Sequence, residues 1–340
     1  MTSAKHAPPV VPFSPLLSRD LYPGSCHDTG SPILCVSISP CGRKVAVSSK
    51  DGLIRIYDWS QAMQSLITTI PRGVCSDIAF CPTGRQLLSI LDNGTACVHN
   101  LVSGTASVIV SDQFFYYYDW SPCGSIIAVS SSDSGSLGLY TTFLNTRIGS
   151  FRCARSVIKG IRFVSIAGRT CISIALTYRM GDGQEQESDY TPVFTQEILI
   201  IDLESMQKID RIGVPSPVGY SIERFRVLKP QNTLVIQVFG ANSMQTVMLC
   251  DMNHRFHPLI SHTQLLSSRH LSSNPSGTIF SSIDLLSGSL LLSRGTDLNF
   301  GWPINLTRIL DSTIATTNWL NDNTLIIGTT KGQLQEFRVS

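Results

Sequence analysis

The sequence predicts an all-β chain built from seven similar units of forty-odd residues, each of four short strands, set in one closed ring. Three signals kept in register carry this expectation. A turn recurs as Ser39-Pro40-Cys41-Gly42, Cys81-Pro82-Thr83-Gly84, Ser121-Pro122-Cys123-Gly124 and Asn274-Pro275-Ser276-Gly277, and its first three prolines lie 42 and 40 residues apart. A second turn, Asp51-Gly52, Asn93-Gly94, Ser134-Gly135 and Ser287-Gly288, places its glycine 12, 12, 13 and 13 residues after the turn proline. Lys331-Gly332 repeats the second turn near the chain's end. Six residues past the first member of four of these turns stands a ring: Tyr57, His99, Tyr140 and Phe337.

Each signal has a physical reading. Proline fixes φ at one turn position and glycine frees it at another, which suits a tight reversal between strands. Asn-Gly and Asp-Gly favour hairpin turns because both residues accept positive φ. The unit therefore reads as strand, Pro-x-Gly turn, strand, x-Gly turn, strand ending in a ring, then a fourth strand. Segments 33–38 and 44–48, 75–80 and 86–90, and 116–120 and 126–130 flank the first three proline turns with β-like composition. The segments 165–168 (SIAG), 230–232 and 321–323 occupy the proline-turn slot in the weaker repeats.

The expected units are 24–70, 71–110, 111–151, 152–213, 214–261, 262–310 and 311–340. The fourth is lengthened by a polar, acidic insertion at 179–196 (RMGDGQEQESDYTPVFTQ). The last supplies only three strands, so the apolar segment 10–17 (VVPFSPLL) is expected to close the ring as its outermost strand. Pro12 and Pro15 suit that place, since proline is tolerated at a sheet edge. Residues 1–9 are expected to form a flexible tail.

Composition narrows the function classes. There are 26 Lys+Arg against 24 Asp+Glu, a net charge of +2, and charged residues make up 15%. This disfavours a strongly basic nucleic-acid binder and a charge-rich disordered chain. Hydrophobic residues are 42%, enough for a sizeable core, yet their runs are too short to span a membrane. No secretory leader is apparent, and none of the ten cysteines forms a C-x-x-C pair, so free thiols in an intracellular, cytoplasmic or nuclear, protein are expected.

Segment 33–59 (ILCVSISPCGRKVAVSSKDGLIRIYDW) resembles a WD repeat of a β-propeller. Pro40 and Gly42 match the family's first turn, Asp51-Gly52 its second, and Tyr57-Asp58 its terminal Trp-Asp pair. Pro82, Gly84, Asn93 and Gly94 repeat these stations in the second unit, and Pro122 and Gly124 in the third. The resemblance implies a seven-bladed propeller, and in each blade a bond from the Asp51 position to a preceding His and to a Ser/Thr of the second strand. His27, and Ser48 or Ser49, are the candidates for those roles here.

Catalytic chemistry finds little support. There is no G-x-S-x-G elbow and no glycine-rich phosphate cradle. His254 and His257 lack a nearby cysteine or carboxylate cluster and read as part of a turn. No metal, cofactor, catalytic residue or small-molecule substrate is expected. The family's work is recognition, and the resemblance implies that peptides dock at the end carrying the x-Gly turns and the loops entering each first strand. Those loops hold Lys50, Arg72, Arg152, Arg155 and Arg179, with Phe114, Phe115 and Tyr116 entering the third blade. Aromatic and arginine side chains are frequent interface anchors. The insertion adds Asp182, Glu185, Glu187 and Asp189. The expected function is a non-enzymatic scaffold or adaptor subunit that holds other proteins. The alternative is a propeller binding a phosphate-bearing ligand, a phosphoinositide headgroup or RNA. Against it, 71–73 (PRG) and 151–153 (FRC) do not match the paired-arginine signature of lipid-binding propellers, and no strong nucleic-acid signal appears.

Overall fold

A computed structural model describes residues 21–60, 65–110, 115–131, 135–153, 156–178, 196–214, 221–228, 233–239, 245–251, 258–264, 268–284, 287–294 and 304–340. Sequential antiparallel strands form the first sheet at 33–71, the second at 75–110, the third at 115–152, the fourth at 156–213 and the fifth at 221–264, each of four strands. The sixth sheet, Ser268–Ser273, Ile279–Asp284 and Leu290–Arg294, has three. The seventh orders Leu21–Asp28 beside Gln333–Val339, then Thr324–Thr329 and Ile314–Asn321.

This is an all-β propeller whose blades are mostly four-stranded, with six complete blades where seven were expected. Among the described residues, Leu290 of the sixth sheet pairs on its far side with Ile304 in a single antiparallel bridge. A second correction concerns the seventh sheet. Its outer strand is Leu21–Asp28, not 10–17, which lies outside the described residues. The strand bulges between Pro23 and Cys26, and Gln335 Nε2 donates to the bulge carbonyls of Gly24 (3.0 Å) and Ser25 (3.1 Å).

The turns explain why these strands form. Gly42, Gly84, Gly124 and Gly277 each donate their amide to the carbonyl of the residue three before, Ser39, Cys81, Ser121 or Asn274, at 2.8–2.9 Å, and all four have positive φ. In the weaker fourth repeat, Ala167 and Gly168 take the same role with φ of 49° and 78°. The slot at 230–232 lies outside the described residues.

Packing orders the sheets. First strands of neighbouring sheets are tied by cross-links: Phe80 N donates to Ser37 Oγ (3.0 Å), Phe163 N to Asp119 Oδ2 (2.7 Å) and Asn318 Nδ2 to the Val36 carbonyl (3.1 Å). Fourth strands such as Arg147–Arg152 and Lys208–Gly213 are largely exposed. The first strands are thus innermost and the fourth outermost. Apolar clusters straddle adjacent sheets, with Ala46, Ile54 and Ile56 meeting Ile78, Phe80 and Leu87 between the first and second. Comparable clusters join the second to the third, third to fourth, fourth to fifth, sixth to seventh and seventh to first. Most side chains between the fifth and sixth sheets lie outside the described residues.

Candidate functional site

With four antiparallel strands per sheet, two kinds of segment emerge at the same end: the x-Gly turn, and the link from one sheet's fourth strand to the next sheet's first. The backbone joins them. Arg72 N and Gly73 N donate to the Gly52 carbonyl (3.2 and 3.1 Å), Cys153 N to that of Gly135 (2.8 Å) and Thr29 N to that of Gly332 (2.9 Å). Gly135 shows why glycine is needed there: φ is +57°, and an added Cβ would lie 2.4 Å from the Cys153 carbonyl oxygen.

Arg72 is thus bonded to Gly52, two residues along the chain from Lys50, whose amide donates to the Pro32 carbonyl (2.9 Å). In the third sheet Arg152 pairs with Ser136, the residue after Gly135, which is the station of Pro71, the residue before Arg72, opposite Leu53 in the first. Lys50, Arg72 and Arg152 are exposed, and none enters an ion pair among the described residues. Phe115 and Tyr116 begin the innermost strand of the third sheet at this end. Phe114, Arg155, Arg179, Asp182, Glu185, Glu187 and Asp189 lie outside the described residues, as do His254 and His257.

Beneath Arg72 runs a buried polar chain in the second sheet. His99 Nε2 and Ser89 Oγ are 2.8 Å apart, and Ser89 also reaches the Cys75 thiol. Burial pulls the His99 imidazole down to about 4, with the Arg72 charge adding to the effect. Burial pushes the Cys75 thiol up to about 11, helped by the neighbouring Cys97 and Asp92. Both groups are therefore neutral near pH 7, and their hydrogen bonds satisfy polar atoms buried inside the blade.

Residues 20–58 match the family described as WD domain, G-beta repeat. No curated protein matches the chain. A solved structure does: the crystal structure of the Myceliophteria thermophila Cps50 (Swd1) β-propeller domain superimposes with a TM-score of 0.67. It covers 94% of this chain and 100% of its own at 13% identity, a likeness of fold alone.

The chain is a β-propeller, and its residues 20–58 match a WD repeat. Its matched repeat straddles two blades, because Leu21–Asp28 belongs to the seventh sheet and the three strands over 33–58 to the first. The polar network implied by the WD resemblance is not made there. Asp51 Oδ2 instead accepts from Arg55 Nη2 at 2.6 Å, and this bond holds the carboxyl below its ordinary range. His27 packs edge-on against Tyr57, with ring centroids 4.7 Å apart. The hydroxyls of Ser48 and Ser49 are buried without a hydrogen-bond partner among the described residues. The ring stations fare better: Tyr57, His99 and Phe337 are buried, and Tyr140 is half-buried.

Sequence reasoning missed a cluster on the two strands, Arg169–Tyr178 and Gln196–Asp202, that flank the acidic insertion in sequence. Glu197 accepts from the Tyr178 hydroxyl and from Arg211, whose Nε lies 2.5 Å from Oε2 and Nη2 2.9 Å from Oε1. Burial, and then the Glu197 carboxylate, push the Tyr178 phenol well above its ordinary range. A signal was available, since Glu197 is the single charge before the apolar run 198–201 (ILII). Among the described residues no group of three or more His, Cys, Asp or Glu is placed to hold a metal, and no helix is long and apolar enough to cross a membrane.

Proposed function

We propose that this protein is a non-enzymatic interaction scaffold, a subunit or adaptor of a multiprotein complex, whose blades close into one ring. Partner peptides dock on the end that carries the x-Gly turns. The supporting observation is that Lys50, Arg72 and Arg152 are exposed, enter no ion pair among the described residues, and lie on the x-Gly turns or on the links bonded to them. Fixed backbone under exposed arginine and lysine lowers the ordering cost of binding. Phe115 and Tyr116 border the same end; Arg155, Arg179 and the acidic residues of the insertion are candidate contacts from the sequence alone.

The propeller family is generally non-enzymatic, which fits a site offering charge and shape rather than a nucleophile and base. The test is affinity purification of the tagged chain, with mass spectrometry of the recovered proteins. A stoichiometric complex is expected, lost on Lys50→Glu with Arg72→Glu and Arg152→Glu while circular dichroism stays unchanged. Recovery of a free monomer, or a complex indifferent to these substitutions, overturns the reading.

A further inference from the structure

The opposite end, formed by the Pro-x-Gly turns and the turns between third and fourth strands, carries a different surface. The three most exposed large apolar side chains described are Phe143 (90%), Val102 (78%) and Leu144 (66%). All three sit there, on neighbouring turns. Phe143 and Leu144 occupy the tip between Ser136–Thr141 and Arg147–Arg152, and Val102 the equivalent turn between Ala96–Asn100 and Ala106–Val110.

Arg85 stands between these tips. Its carbonyl accepts from Leu101 N (2.9 Å), next to Val102, and the adjacent Gln86 Nε2 donates to the Thr142 carbonyl (3.3 Å), next to Phe143. Arg43 follows the neighbouring turn, whose Pro40 Cδ would lie 3.7 Å from a Cβ at Gly84. Arg147 leaves the Phe143 turn. Arg43, Arg85 and Arg147 are exposed and enter no ion pair among the described residues. Within this arc Lys44 adds a further positive charge, and the acidic group is Asp58, hydrogen-bonded to Ser60.

We propose that this end docks on an anionic lipid bilayer, with the Phe143–Leu144 tip entering the headgroup–acyl boundary and Arg43, Arg85 and Arg147 lying at the phosphate level. The pattern of side chains selects this occupant. Apolar tips with flanking cations are the elements that hold a protein in the plane of a charged interface. A second copy of the same face is opposed by like charge. Nucleic acid is less suited, because two of the three apolar side chains are aliphatic and give bases no ring to stack on.

The test is co-sedimentation of the full chain with phosphatidylcholine vesicles containing no or about one-third phosphatidylserine. Binding is expected only to the anionic vesicles and is expected to weaken with added salt. Arg85→Glu changes two units of charge, each worth roughly fivefold near such a surface, so a loss of roughly 25-fold is expected. Phe143→Ser with Leu144→Ser is expected to lose at least about tenfold, from the apolar area no longer buried. Ile67→Ser removes an exposed apolar side chain on an outer strand and serves as the control, with binding unchanged. No sedimentation with anionic vesicles, equal binding to neutral ones, or indifference to the Phe143 and Leu144 changes overturns the proposal. So does tighter binding to single-stranded RNA that survives loss of the tip.

Discussion

Gly124 offers a sharp test of how neighbouring blades are held in register. It has φ of +74°, and a Cβ added there would lie 2.4 Å from Cys81 Sγ and 3.2 Å from Thr83 Cγ2, atoms of the adjacent blade's turn. Gly84, the same station one blade earlier, has φ of +71°, but its added Cβ would meet only Pro40 Cδ at 3.7 Å, an ordinary contact. Gly84→Ala therefore isolates the backbone cost of a left-handed alanine, about 1–2 kcal/mol. Gly124→Ala adds overpacking against a buried thiol, typically about 1–3 kcal/mol more. The two effects sum to about 2–5 kcal/mol.

Urea unfolding followed by tryptophan fluorescence is a suitable assay, since Trp120 ends the strand leading into this turn. Cys81→Ala alone costs about 1–2 kcal/mol from the space it leaves. Combined with Gly124→Ala it removes the nearest clash, so the double variant is expected to be less destabilised than the sum of the singles. A coupling of about 1–3 kcal/mol is the expected size. A Gly124→Ala midpoint no lower than that of Gly84→Ala refutes the reasoning. So does an unchanged cost in the Cys81→Ala background.

Three further outcomes follow from the side-chain chemistry. Replacing Glu197 by Gln removes the carboxylate that Tyr178 and Arg211 share; with the Arg211 side chain 36% exposed, the cost is about 2 kcal/mol, below the full penalty for a fully buried pair, read as a lower melting temperature. His99 titrates near 4 when folded and near 6.5 when unfolded, so between those values the unfolded chain binds more protons and stability rises with pH. That contribution is complete above about pH 6.5, amounts to about 3 kcal/mol, and is lost as pH falls towards 4; urea midpoints across this range are expected to lose the corresponding slope in His99→Phe. Cys123 is exposed, and hydrogen bonds from Ser121 and Ser125 bring its thiol down to about 7. Alkylation followed by mass spectrometry is expected to show it reacting with a midpoint near pH 7, while buried Cys75 and Cys153, each raised to about 11, stay unmodified.

The backbone of this fold was legible because its turns are written in residues with conformational demands of their own. Proline and glycine state φ directly, and a period of forty-odd residues repeats that statement. The outer strand of the seventh sheet was misplaced for an equally physical reason. Segment 10–17 was favoured as the unassigned stretch before the first unit, but an outermost strand faces solvent and needs no apolar character, and Leu21–Asp28 (LYPGSCHD) is mostly exposed. The rule about proline at an edge was sound, since Pro23 sits at a bulge of that edge strand. Side-chain pairing was less legible. Whether Asp51 meets His27 or Arg55 depends on rotamers and on the entry of a strand from the chain's other end, neither of which spacing records. The basic tips at the proline-turn end also escaped notice, because Arg85 and Phe143 are 58 residues apart in sequence and meet only through adjacent turns.

The x-Gly turns explain how the blades of one propeller can differ in sequence without losing their shape. Their first members are Asp51, Asn93, Ser134, Ser287 and Lys331, a set with no common charge or size. The carbonyls of Gly52, Gly135 and Gly332 accept the linker amides, so the structural duty rests on backbone and on glycine. The side chain before the glycine adds only local bonds that differ from blade to blade: Asp51 Oδ1 accepts from Leu53 N, Asn93 Oδ1 from Thr95 N, and Ser287 Oγ donates to Asp284. Lys331 makes the point quantitatively. Its ammonium lies 3.1 Å from Asp311 Oδ2, but the two side chains are 60% and 89% exposed, and such pairs contribute about 0–1 kcal/mol. Lys331→Ala is therefore expected to leave the urea midpoint almost unchanged. A loss above about 1.5 kcal/mol would place structural work on this side chain and overturn the assignment of that duty to backbone and glycine.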